Sequence, residues 1–271
     1  PRMKKNAVLA TNTSSIPLET LAEALQQPER LVGLHFFNPV SMMPLVEIVK
    51  KDDTPANVIN QASAFSLHIG KLPLPVRSSP GFLVNRILVP YLVEAVTLHE
   101  EGVAIEAIDK AAMDFGMPMG PVELADAVGL DICLSVATNL STFSGFQVPE
   151  VLKKMVAAKT LGKKTGSGFY QYSKGYAVKD RDADMGLQQE IQNRLIYRLL
   201  NESAACLREG IVDDLDLLDA GVIFGTGFAP FRGGPLRYGK DTGINSIQQN
   251  MKIYQQRFGD RFEPDEGWTM V

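Results

Sequence analysis

The stretch Gly33-Leu34-His35-Phe36-Phe37-Asn38-Pro39 decides how the first part of the chain folds. An apolar run leads into His35, and a second run, 45–49, carries Glu47 twelve residues further on. Short apolar runs of this kind are typical of β-strands. A histidine on one strand beside a carboxylate on the next suits proton transfer to or from a hydroxyl. The pair predicts an acid/base site, and the alternative is a buried histidine satisfied by a structural carboxylate.

Around this stretch, residues 7–78 alternate short apolar strands with helical segments. Such alternation predicts an open α/β sheet. The glycine pattern Gly-x-Gly-x-x-Gly, which binds the phosphates of dinucleotides, does not occur in the sequence. We therefore expect the carboxyl-terminal half of a dinucleotide-binding sheet without its phosphate-binding half. The predicted elements are strands at 7–10, 31–37, 45–49 and 74–76, with helices at 17–26 and 55–67.

Beyond Pro80 the apolar residues recur at helical spacing. A long helix is predicted to begin close to this proline, with Ser79 as its cap and a bend at Pro90. Shorter helices are predicted at 105–115 and 122–128.

The order of these helical strings returns about a hundred residues later. The run that begins Asn193-Arg194 and ends at Glu202 echoes the run from Asn85 to Glu94. The echo predicts a duplicated helical domain, with a polar linker between the copies. The predicted domains are 1–79, 80–184 and 185–271.

Composition limits the classes of partner and compartment. The formal net charge of -4 and the lack of a basic patch argue against nucleic acid. Cys133 and Cys206 form no cluster, which is typical of reduced thiols in a cytoplasmic protein. No run approaches the ~20 apolar residues of a membrane span. The chain begins at Pro1, and we interpret it as a piece of a longer polypeptide.

Three further polar residues are candidates for binding a ligand. Ser14 follows the first strand and could reach a substrate hydroxyl, but a helix N-cap is the alternative, for which Ser15 is better placed. Asn38 could donate to a ligand or stabilise the Asn-Pro turn. Asn85 could bind a carbonyl or hydroxyl if it faces the sheet. Because Asn193 echoes Asn85 in the second copy, a packing role for Asn85 is an equally good alternative.

Together these strings resemble the 3-hydroxyacyl-CoA dehydrogenases, most nearly the dehydrogenase portion of the multifunctional α-subunit of the bacterial fatty-acid oxidation complex. The matching strings run in order through residues 7–172: Asn12 to Ser15, Gly33 to Pro39, Leu45 to Glu47, Pro80 to Arg86, Gly116 to Pro121, Val128 to Asp131 and Gly162 to Tyr170.

The resemblance implies a role for each candidate residue. His35 would be the general base that takes the proton of the 3-hydroxyl, and Glu47 would orient its imidazole. Ser14 and Asn85 would bind the substrate oxygen, with Asn38 supporting the same pocket. The nicotinamide of NAD would lie close to two of the polar residues, Asn12 and Ser14.

The resemblance also implies partners and an architecture. The substrate would be an acyl-CoA, a thiolase β-subunit would be the partner in a heteromeric complex, and a longer parent could carry enoyl-CoA hydratase activity. A partial Rossmann-type sheet would precede two helical C-terminal domains like those of 6-phosphogluconate dehydrogenase. Since the glycine-rich turn is absent, we expect weak NAD binding and little turnover.

Two alternatives stay open at this stage. One is another hydroxyacid dehydrogenase, a class that typically uses a lysine base. The other is a non-catalytic assembly module whose helices bind a thiolase.

Overall fold

The computed structural model describes residues 4, 7–14, 16–144 and 146–271. A small sheet comes first in the chain and helices follow. The sheet part contains β1 (Leu9–Thr11), α1 (Leu18–Ala22), β2 (Leu31–Phe36), β3 (Leu45–Lys50), α2 (Ala56–His68) and β4 (Leu72–Arg77). Ser15, the predicted cap, lies outside the described residues.

The four strands form one mixed sheet in the order β1-β2-β3-β4. β1 runs parallel to β2, β2 antiparallel to β3, and β3 parallel to β4. This register makes His35 and Glu47 direct cross-strand neighbours. Side chains alternate between the two faces of a strand, so two adjacent strands place this pair on one face.

Both faces of the sheet are covered, which explains why β2 and β3 are almost continuously apolar. On one face, α2 packs Val58 and Ala62 against Val32 and Val46. On the other face, the alternate strand residues join a large core that continues into the helical part of the chain. The predicted strands and the second helix are confirmed. The first helix is shorter than predicted because its buried residues, Leu18 and Ala22, span little more than one turn.

The helical part begins with α3 (Val84–Glu100), which starts later than the sequence predicts. Gly81 and Phe82 have φ values of 77° and 53°, and this left-handed backbone cannot belong to a right-handed helix. Ser79 does not cap α3, because the hydroxyl of Ser79 contacts the carbonyl of Phe82 at 3.5 Å. Pro90 lies inside the helix, and the bend expected there stays a prediction. The helices that follow are α4 (Ile105–Phe115), α5 (Pro121–Val128), α6 (Leu130–Ser144) and α7 (Glu150–Ala157).

After a short hairpin of β5 (Gln171–Ser173) and β6 (Tyr176–Val178), the described chain continues with four further α-helices and short 3-10 turns. The α-helices are α8 (Gln188–Arg208), α9 (Leu215–Thr226), α10 (Pro235–Thr242) and α11 (Ile244–Phe258). Within the described part of the chain, no single helix is long and apolar enough to cross a bilayer. Only α5 and α6 taken together meet that test, and they are bent by 102° relative to each other.

α3 and α8 pack against each other through exchanged ion pairs. Arg86 of α3 pairs with Glu202 and with Glu209. Arg194 of α8 pairs in the same way with Glu94, whose side chain is 1% exposed, and with Glu101. Each helix therefore donates one arginine to the carboxylates of the other.

A buried aspartate also recurs at the start of a short helix. Asp109 accepts hydrogen bonds from the backbone N–H groups of Val122 and Glu123 in α5. Asp219 does the same for the first turn of α10. These carboxylates satisfy N–H groups that a helix N-terminus leaves without a partner.

Candidate active site

His35 and Glu47 form a buried hydrogen-bonded pair. His35 Nδ1 lies 2.6 Å from Glu47 Oε2, and the two residues are 6% and 0% exposed. The pairing follows from their cross-strand register. The structure therefore brings together the two residues that the sequence singled out.

The second oxygen of Glu47 is also engaged. Oε1 accepts the backbone N–H of Leu83 at 3.0 Å and that of Val84 at 2.9 Å. Both groups stand at the N-terminus of α3, where partial positive charge favours an anion. An ionised carboxylate can only accept hydrogen bonds, so Nδ1 of His35 must donate to it. In the neutral imidazole, Nε2 then carries the lone pair and can accept a proton.

Two aromatic rings enclose the imidazole. The ring centroids of Phe37 and Phe82 lie 4.7 Å and 5.4 Å from that of His35, both in edge-to-face geometry. Phe82 reaches this position through its left-handed backbone, which is uncommon for a bulky residue and is often found at functional sites. The sequence reasoning missed this contact and the Glu47–α3 contact. The Pro80-Gly81 pair before the helix was the available signal.

Asn12 and Ser14 lie where β1 ends. Oδ1 of Asn12 accepts the backbone N–H of Phe36 at 3.2 Å, which ties the loop after β1 to the end of β2. Ser14 is exposed and lines a cavity of about 410 Å³ together with Phe82. Asn12 thus lies at the His35 end of β2, and Ser14 shares a cavity wall with Phe82; their roles toward a ligand stay predictions.

Asn85 and Asn38 differ in their surroundings. Asn85 is half-buried and directly follows Val84, whose N–H binds Glu47, so it stands in the first turn of α3. Its side chain forms no hydrogen bond within the described residues. Asn193, its echo, is engaged with Gln189 and Tyr254. Asn38 is exposed in the loop that follows β2.

The described part of the chain offers no set of ligands for a metal ion. No group of three or more His, Cys, Asp or Glu residues there could hold a metal ion. Cys133 and Cys206 are free thiols. The acid/base pair is therefore the chemical centre that these residues offer.

Two family models match the chain over consecutive ranges. Residues 2–79 match the model described as 3-hydroxyacyl-CoA dehydrogenase, NAD binding domain, and residues 81–172 match that of the C-terminal domain of the same family. The chain belongs to the 3-hydroxyacyl-CoA dehydrogenase family. The resemblance stated from the sequence is confirmed.

Similar proteins agree with this membership in the 3-hydroxyacyl-CoA dehydrogenases. The fatty acid oxidation complex subunit alpha of Shewanella loihica is 39% identical over 273 residues, which are 96% of this chain and 39% of that protein. The chain thus spans about two fifths of the length of the curated relatives it matches. 3-Hydroxybutyryl-CoA dehydrogenase from Escherichia coli K12 has a TM-score of 0.84 at 27% identity, covering 97% of this chain and 74% of that one.

A second similar structure is the dehydrogenase part of multifunctional enzyme 1 from C. elegans. Its TM-score is 0.70 at 29% identity, and the match covers 98% of this chain and 65% of that one.

The family matches correct two of our predictions. The match of the NAD-binding model over residues 2–79 gives no support to the prediction of weak NAD binding and little turnover. The C-terminal model covers 81–172, so the matches support one helical domain of this family rather than two. Residues 185–271, the predicted second copy, do contain helices. Their position and packing alone do not show that they form a domain of this family. The domain limits after residues 79 and 184 stay predictions.

Proposed function

We propose that this chain contains the dehydrogenase site of an enzyme that oxidises L-3-hydroxyacyl-CoA to 3-ketoacyl-CoA with NAD. The observation that carries the proposal is the buried His35–Glu47 pair at 2.6 Å, in a chain of this family. The anchoring of Glu47 to α3 adds support, since it holds the imidazole in one orientation.

His35 is assigned the role of general base. Its Nε2 takes the proton of the 3-hydroxyl while C3 is oxidised, and the ring becomes an imidazolium. Glu47 stabilises that charge through the Nδ1 hydrogen bond. The edges of Phe37 and Phe82 shield the ring from water, and this strengthens the electrostatic interaction.

The polar side chains around the pair are assigned to the substrate oxygen. Ser14 and Asn85 donate hydrogen bonds to the oxygen that becomes the ketone, and Asn38 supports the same pocket. The lack of an internal partner for Asn85 within the described residues supports its role as a donor to the ligand. Asn12 is assigned a place near the nicotinamide, and its bond to Phe36 holds that loop close to His35.

The described residues fit the nicotinamide end of NAD. The carboxyl ends of the parallel strands β1 and β2 meet beside His35, and ligands of open α/β sheets collect at such ends. When bound, NAD accepts the hydride from C3. We assign no residue to its pyrophosphate, because the sequence has no Gly-x-Gly-x-x-Gly turn.

A wider setting in fatty-acid β-oxidation is part of the proposal. Curated relatives are named as α-subunits of a fatty acid oxidation complex, which supports a heteromeric partner, for which we propose a thiolase β-subunit. Hydratase activity in a longer parent is proposed on the same ground. The cytoplasmic location predicted from cysteine usage stays a prediction.

The decisive experiment is His35→Gln in the full-length natural protein, with NADH formation from L-3-hydroxyacyl-CoA as the readout. We expect kcat to fall by about 10²–10⁴-fold with a loss of no more than about 1 kcal/mol in the free energy of unfolding. His68→Gln, at an exposed histidine that ends α2, is the matched control and should leave kcat unchanged.

Unchanged turnover in His35→Gln would overturn the assignment and favour the hydroxyacid dehydrogenases that use a lysine base. An inactive wild-type protein that still binds a thiolase would favour the assembly module.

A further inference from the structure

The cavity next to the acid/base pair is lined by residues from three separate segments. It measures about 410 Å³ and lies between the loop after β1, the segment 78–82 and helix α6. Phe82 belongs both to its wall and to the surroundings of His35, whose ring centroid is 5.4 Å away. Ser14, to which the substrate oxygen is assigned above, lines the same cavity, so the cavity adjoins the place proposed for the reacting end of the substrate.

The wall on α6 is a stripe of apolar side chains. Val136, Leu140 and Phe143 are spaced four and three residues apart, so they share one face of the helix. Phe143 is 66% exposed, and Ile16 on the opposite loop is 46% exposed. Large apolar side chains that remain open around a cavity indicate a binding surface for an apolar ligand.

Two hydroxyl groups of the lining have partners within the protein. Ser78 donates its hydroxyl to Glu19 at 2.9 Å, and Thr142 donates to the carbonyl of Asn139 at 2.8 Å. These groups therefore do not require a polar ligand. The volume accommodates roughly a dozen groups of the size of a water molecule or a methylene.

We propose that this cavity holds the acyl chain of the substrate beyond its fourth carbon, with Val136, Leu140 and Phe143 as the residues that set chain-length preference. This inference rests on the proposed function and adds a substrate class to it. The protein accepts medium-length chains as well as four-carbon chains.

Val136→Trp tests the proposal by filling the cavity, and binding to the full-length natural protein is the readout. The probes are 3-ketoacyl-CoA thioesters with four-carbon and ten-carbon chains, and NADH, each titrated calorimetrically. Each methylene kept out of an apolar site weakens binding by about fourfold. We expect the ten-carbon thioester to bind at least about tenfold more weakly and the four-carbon thioester to bind within about twofold of wild type.

Phe143→Ala is the second variant, since truncation of a side chain that is 66% exposed leaves the fold intact. It should weaken only the ten-carbon thioester, by about fourfold or more. Val178→Trp, at an exposed position of β6 outside the cavity, is the matched control and should change neither affinity.

Three results would overturn the inference. Equal weakening of both thioesters would place the pantetheine arm in the cavity. Weaker binding of NADH with unchanged thioester affinities would place the nicotinamide there. Unchanged affinities for both thioesters in both variants would exclude the acyl chain. Because these readouts are binding constants, they are independent of the turnover measurement that tests the proposed function.

Discussion

Val84 donates its backbone N–H to Oε1 of Glu47 at 2.9 Å, while Oε2 of the same carboxylate lies 2.6 Å from His35 Nδ1. One side chain on β3 thus orients the histidine of β2 and holds the first turn of α3. A substitution at Glu47 affects both the acid/base geometry and the attachment of the helix, and two different substitutions can separate these effects.

Glu47→Gln should mainly affect catalysis. The amide oxygen can still accept from the start of α3, but it no longer provides the charge that stabilises the imidazolium. We expect kcat to fall by about 10²–10⁴-fold with a loss of about 1 kcal/mol in the free energy of unfolding. Glu47→Ala should also destabilise the fold by about 2 kcal/mol or more, because Leu83 and Val84 lose their acceptor. Steady-state kinetics and urea unfolding measure the two effects, and wild-type turnover in Glu47→Gln would contradict the assigned role.

Arg194→Met should weaken the contact between α3 and α8. Arg194 donates to Glu94 at 2.7 Å, and both side chains are buried. The variant leaves Glu94 with Arg261 as its remaining cationic partner at 2.8 Å, so the loss is that of strong charged hydrogen bonds and we expect about 2 kcal/mol in the free energy of unfolding. Arg77→Met breaks an exposed pair with Asp52 and should cost less than about 1 kcal/mol. Equal urea midpoints for the two variants would contradict the prediction.

Asp109→Asn should reveal a pH-dependent contribution to stability. Burial raises the pKa of the Asp109 carboxyl to about 6, against the opposing effect of hydrogen bonds from Val122, Tyr170 and Glu123. Because the folded-state pKa lies above the unfolded value, the added stability is complete below the unfolded pKa and is lost as pH rises through about 6.

Wild type should therefore gain about 1 kcal/mol over Asp109→Asn between pH 7 and pH 5. Urea unfolding at the two pH values measures the gain. Asp114→Asn, at an exposed residue of the same helix, is the control. A stability difference between wild type and Asp109→Asn that does not change with pH would argue against the raised pKa.

Gly81→Ala should disturb the segment that carries Phe82 to His35. Gly81 has a φ of 77°, and an added Cβ would lie 3.0 Å from Leu140 Cδ2 and 3.1 Å from the backbone N of Arg86. Gly70→Ala is a matched control, since its φ is 75° but no atom lies within 4 Å of an added Cβ. The backbone strain of about 1 kcal/mol is common to both, so the excess loss of stability in Gly81→Ala measures the steric contact. Identical thermal unfolding of the two variants would exclude it.

The sequence predicted the acid/base pair because its position depends on local pattern. Two apolar runs of strand length, each long enough for one strand only, place His35 and Glu47 opposite each other once the runs pair. Likewise, helical spacing predicted most helices between residues 84 and 128. These features follow from periodicity alone.

What the sequence could not predict depends on contacts between distant segments. The N-terminus of α3 reaches Glu47 only because Gly81 and Phe82 adopt left-handed conformations, and helical spacing extended the helix through them. The cavity is formed by three segments that no local pattern links. The bond from Phe36 to Asn12 likewise arises only when β1 and β2 pair.

The anchoring of α3 by Glu47 also bears on motion. Because the two oxygens of one carboxylate hold His35 and the first turn of α3, a displacement of that turn relative to the sheet would be transmitted to the imidazole. Packing changes far along the helical part would therefore register at the base through α3.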